Sequence, residues 1–70
     1  MDMFNFLDRL LYPEYTYVVI DDLASNKTIM RGFVDDLLLQ SKTLIMKYNV
    51  ITFGITDEDT IYIHARTKEQ

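Results

Sequence analysis

The chain reads as one small α+β domain with the order α-β-β-α-β-β: a four-stranded, mainly antiparallel sheet with two short helices packed on one face. Three observations predict it. Apolar residues recur at helical spacing near the N-terminus, at Met3, Phe6, Leu7, Leu10 and Leu11. Residues Asn49–Ala65 alternate apolar and polar on both sides of an acidic turn, as a hairpin covered on one face does. Between these regions, Thr28–Leu39 changes at Arg31-Gly32 from strand-like alternation to a helical pattern with two aspartates in its first turn.

Seventy residues allow a single domain. A chain of this length buries only about 60% of the surface it exposes when unfolded. One such core rarely supplies more than about 3–5 kcal/mol. There is no cysteine and only one histidine, which excludes a disulfide framework or a Cys/His zinc site within one chain. Stability has to come from dense packing of the 49% hydrophobic residues, or from association with another chain. The net charge of −4 argues against a nucleic-acid partner, whose phosphates need clustered Lys and Arg. No run reaches the ~18 apolar residues of a membrane span. The N-terminal MDMFNFLDRLLYP has neither a basic leader nor a small-residue cleavage site. A cytoplasmic protein with no membrane association is expected, and the absence of cysteine agrees with that compartment.

The elements follow in order. Asp2–Leu11 is predicted as a short amphipathic helix, with Asp2 placed to complement the helix dipole and Asp8 and Arg9 on the polar side. Tyr12-Pro13 stops it, because a residue before proline is pushed out of the helical region. Its expected role is to cover the sheet. A membrane-surface helix would carry several basic residues, and this one has a single Arg.

The first hairpin spans about residues 15–32. Tyr15–Asp21 is its first strand, with Tyr15, Tyr17 and Val19 on one face and Thr16, Val18 and Ile20 on the other. Apolar residues on both faces suit a central strand, or one with both faces covered. Asp22–Asn26 supplies turn formers, and Thr28–Gly32 returns. Gly32 marks a close backbone approach or the bend into the next helix.

That helix spans about residues 34–40, with Asp35 and Asp36 in its first turn and Leu37 and Leu38 inward. Helical spacing persists to Met46, but Ser41-Lys42-Thr43 favours a break after Gln40 and a second short turn. The second hairpin spans about residues 49–65. Ile51, Phe53 and Ile55 share one face, and Val50, Thr52, Gly54 and Thr56 share the other. Asp57-Glu58-Asp59 forms the turn, after which Ile61 and Ile63 point inward and Thr60, Tyr62 and His64 outward. The charged tail Arg66–Gln70 is expected to fray.

Chemistry-bearing residues are few. The carboxylate clusters Asp21-Asp22, Asp35-Asp36 and Asp57-Glu58-Asp59 read as turn and helix-start residues. The last begins like a calcium loop but lacks its glycine and distant glutamate. His64 has no nucleophile and orienting acid at a recognisable spacing. Gly32 and Gly54 form no phosphate-cradling loop. No catalytic, cofactor-binding or metal-ligating residue is assigned, no cofactor is expected, and no small-molecule substrate is evident.

The informative feature is the outer face of the second hairpin: Val50, Thr52, Tyr62 and His64, with Arg66, joined by Tyr15 and Tyr17 where the first strand neighbours it. Tyrosine, histidine and arginine together are typical of interfaces. The candidate interaction face is therefore Tyr17, Thr52, Tyr62 and His64.

Tyr17–Asp22, Arg31–Leu38 and Val50–Ile55 together resemble small uncharacterised proteins encoded in phages and prophages of Gram-positive bacteria. The resemblance covers roughly Tyr15–Ile55. It implies a cytoplasmic protein from a mobile element with no established activity, and it carries over no functional residue. The expected function is a non-enzymatic interaction or accessory module, binding a protein partner or a second copy through the open face or an unpaired edge strand. The alternative is a small nucleic-acid-associated regulator from a mobile element, which requires Arg31, Lys42, Lys47 and Arg66 to converge.

Overall fold

Asp2 begins the first helix by accepting a hydrogen bond from the Phe4 N–H at 3.1 Å. In the computed structural model, which describes residues 1–56 and 59–69, helix α1 covers Met3–Asp8 and buries Met3 and Leu7. It stops short of Leu11, contrary to the periodicity. The Leu10 N–H turns back to the Leu7 carbonyl, and Tyr12 takes a left-handed conformation (φ +59°) before Pro13. Leu11 is exposed as a result.

Helix α2 covers Val34–Gln40, as predicted. It has no side-chain cap. Instead the Val34 and Asp35 N–H groups donate to the carbonyls of Thr16 (3.0 Å) and Pro13 (3.2 Å), so the connection after α1 satisfies two of its orphan donors. Ser41 breaks the helix, and α3 follows over Lys42–Ile45, the second short turn that was expected.

The strands are β1 (Tyr17–Asp22), β2 (Lys27–Phe33), β3 (Tyr48–Ile55) and β4 (Thr60–Thr67), in the order β2-β1-β4-β3. Both hairpins are antiparallel, but they join through a parallel β1–β4 pairing, so the sheet is mixed. β1 is central, as its two apolar faces require. Asp57 and Glu58 of the expected acidic turn lie outside the described residues. The tail does not fray where predicted. Arg66 and Thr67 belong to β4, the Lys68 N–H donates to the Lys47 carbonyl at 2.8 Å, and the Lys68 ammonium lies 3.2 Å from the Asp2 carboxylate.

The core lies between one sheet face and the three helices. Val18, Ile20, Met30, Ile61, Ile63 and Ala65 meet Met3, Leu7, Val34, Leu37 and Ile45. A bulge at Ile51 overturns one expectation. Val50 pairs with Ala65 and Thr52 with His64, leaving Ile51 as an extra residue. Val50 therefore turns inward and is 6% exposed, whereas Ile51 is 50% exposed. Phe53 and Ile55 do face the helix side, opposite Ile63 and Ile61, but remain 51% and 68% exposed. Six helical residues span ~9 Å and eight strand residues ~26 Å, so α1 cannot cover the length of β3. Phe6 reaches Phe53, with ring centroids 4.8 Å apart, and Ile55 lies beyond.

Candidate interaction surface

All three helices contribute to the core on one side, which leaves the other sheet face bare among the described residues. Strand register places the side chains of that face in rows. Phe33, Tyr17 and Thr60 form one. Arg31, Val19, Tyr62 and Gly54 form the next. Thr28, Asp21, His64 and Thr52 form the third. Arg66 and Asn49 lie at its end.

Within these rows the chemistry is mixed. The Tyr17 and Phe33 rings meet edge to face at 5.3 Å and 88°, a geometry worth about 0.5–1.5 kcal/mol beyond area burial. The Thr28 hydroxyl donates to the Asp21 carboxylate at 2.6 Å. Tyr62 is 45% exposed beside Gly54, where an added Cβ would meet nothing within 4 Å. Its ring thus stands next to an open shelf. His64 lies between Asp21 and Thr52 in register.

The four predicted residues Tyr17, Thr52, Tyr62 and His64 thus share one surface. Val50 and Tyr15 do not belong to it. Val50 is in the core, and Tyr15 precedes β1 and turns to the helix side. Val19, Asp21, Arg31 and Phe33 belong to it and were missed. Their signal lay in the alternation of Tyr17–Asp21 and Arg31–Phe33, which becomes decisive only once β1 is known to sit beside β4.

No family model, curated protein or solved structure matches this chain.

A second uncovered region lies on the helix side. Tyr12, Tyr15, Thr16, Ile55, Asp59 and Ile61 line an open groove of about 400 Å³ between the connection after α1 and the end of the second hairpin. The sequence marks it only by two tyrosines flanking Pro13. The cations needed for nucleic-acid binding are divided. Arg31 and Arg66 lie on the bare sheet face, whereas the Lys42 ammonium sits 5.2 Å from the Phe4 ring centroid on the helix side. Lys47 lies next to Lys68 at the start of β3. Among the described residues no group of three or more His, Asp or Glu is placed to hold a metal ion, and no helix is long and apolar enough to cross a membrane.

Proposed function

We infer that this chain is a non-enzymatic protein-interaction module that binds its partner through the bare sheet face. The observation that carries the reading is a sheet uncovered on one side, with its central strands displaying Tyr17, Val19, Tyr62 and His64 there. A solvated sheet face needs only polar residues. This one sets three aromatic residues, Tyr17, Phe33 and Tyr62, and the aliphatic Val19 among Arg31, Asp21 and Arg66, the composition of an interface centre with a charged rim. The partner is a protein of complementary mixed surface or a second copy of this chain. A cytoplasmic setting in a Gram-positive host is part of the proposal and rests on the sequence resemblance.

The test compares proteins retained from such a lysate by the immobilised parent, by a Tyr17→Ala/Tyr62→Ala double variant and by Leu39→Ala, which truncates an exposed residue on the helix side. Far-ultraviolet circular dichroism checks that each is folded. The double variant should lose about tenfold or more of the specific capture, as truncation of central interface residues does, while Leu39→Ala retains it. Equal capture and equal solution mass for all three proteins would rule the outer face out.

A further inference from the structure

The two edges of the sheet are unlike each other. β2 carries Lys27 and Arg31 and a bulge at Ile29, the usual guards against edge-to-edge pairing. From Tyr48 to Thr56 the β3 edge has no charged residue and no proline. Its first part is protected in another way. Met1 and Val50 exchange backbone hydrogen bonds, and Asp2 bridges Asn49.

Beyond the bulge the protection ends. The Thr56 N–H donates to the Thr60 carbonyl at 2.9 Å, which makes that pair a hydrogen-bonded one. Hydrogen-bonded and non-hydrogen-bonded pairs alternate in an antiparallel ladder. In this register Thr52 and Gly54 therefore bond to β4, while the N–H and C=O groups of Phe53 and Ile55 point away from the sheet. No described residue pairs with them.

We propose that the β3 edge pairs with the β3 edge of a second copy, antiparallel about a two-fold axis at Gly54. This register pairs Phe53 of each chain with Ile55 of the other and uses all of the outward backbone groups in four hydrogen bonds. Gly54 then faces Gly54 across the closest type of strand contact, about 4.5 Å between Cα atoms. With no side chain on either glycine, nothing crowds the outer face at that closest contact. The occupant is a second copy because the uncharged β3 edge is complementary to itself in this register and meets itself without the like-charge repulsion that Lys27 and Arg31 would set up between two β2 edges. Pairing also covers Ile55, which α1 is too short to reach, and the part of Phe53 that Phe6 leaves exposed. α1 packs toward the Asn49–Phe53 part of β3, so the axis at Gly54 sets the two helices at opposite ends. The product is a continuous eight-stranded sheet. On its outer face the two Tyr62 side chains stand about 14 Å apart across a glycine floor, three strand spacings.

This pairing does not depend on what the outer face binds. The contact is short, so the dimer should be weak and concentration-dependent. The test is light scattering of the parent, Ile55→Lys and Tyr62→Ala over a wide concentration range, with amide hydrogen exchange of the parent at both extremes. The parent's mass should rise from 8.3 kDa toward twice that value. Phe53 and Ile55 amides should gain protection as it does, while those of Thr52 and Gly54 are protected throughout. Ile55→Lys should stay monomeric and folded, and Tyr62→Ala should dimerise like the parent. A parent that stays monomeric at every concentration overturns the proposal. So does a dimer that survives Ile55→Lys, or one that forms without protecting Phe53 and Ile55. A dimer lost in Tyr62→Ala and kept in Ile55→Lys would assign self-association to the outer face instead.

Discussion

Gly32 and Gly54 are the only glycines, and the same substitution should act on them in opposite directions. Gly32 has φ +150°, a region that residues with a Cβ rarely adopt. It faces the helix side opposite Val18, where the chain leaves β2 for α2. A Cβ there would lie 3.5 Å from the Leu37 side chain, an ordinary contact. The cost of Gly32→Ala is therefore backbone strain and should be about 1–3 kcal/mol. Gly54 has no such conformation and no neighbour, so Gly54→Ala gains what alanine ordinarily gains over glycine in a strand, up to about 0.5–1 kcal/mol. Urea unfolding at a concentration low enough to keep the chain monomeric measures both. A destabilised Gly54→Ala, or an unaffected Gly32→Ala, would contradict these backbone assignments. The bend at Gly32 was legible because an alternating run met a helical one there. Gly54 was legible only as an interruption of the pattern.

The bulge at Ile51 decides which half of β3 feeds the core. Strict alternation from Val50 to Thr56 assigns Ile51, Phe53 and Ile55 to one face. For Phe53 and Ile55 that assignment is right. It is wrong at Val50, because the extra residue Ile51 inverts the pattern on its N-terminal side. Both residues are β-branched and apolar, so nothing in their chemistry distinguishes them. The partner strand does, through the match of Val50 to Ala65. The end of α1 was missed for a related reason. Leu10 and Leu11 extend the helical spacing, while the left-handed turn at Tyr12 takes the backbone out of it. A charge separates the alternatives for the bulge. Val50→Asp buries an unpaired carboxylate and should cost several kcal/mol, enough to unfold much of a small domain. Ile51→Asp leaves its carboxylate in water and should cost about 1 kcal/mol or less. Denaturant midpoints compare them, and the reverse ranking would restore the unbulged register.

At the scale of the molecule, two hairpins are tied together by the parallel β1–β4 ladder and by helices shared between them. The second hairpin was legible from local alternation, and the first from β-branched and aromatic residues leading into turn formers. Their joining was not, because β1 and β4 are far apart in sequence and parallel pairing leaves no turn signature. The candidate face was half legible for the same reason, since Tyr62 and His64 lie within one hairpin while Tyr17 joins them only through that ladder. An isolated two-stranded hairpin is marginal in water, so neither half should persist without the other. Ile63 tests this. It is fully buried in β4, with Ile20 of β1 in register on one side and Phe53 of β3 on the other. Ile63→Ala should cost about 2–5 kcal/mol, comparable with the ceiling of roughly 3–5 kcal/mol on what a core of this size supplies. In an amide proton–nitrogen correlation spectrum, the dispersed resonances of β1 and β2 should collapse together with those of β3 and β4. If the β1–β2 resonances stay dispersed while the others collapse, the first hairpin is held by α2 alone, and the parallel ladder is a contact between two independently stable halves.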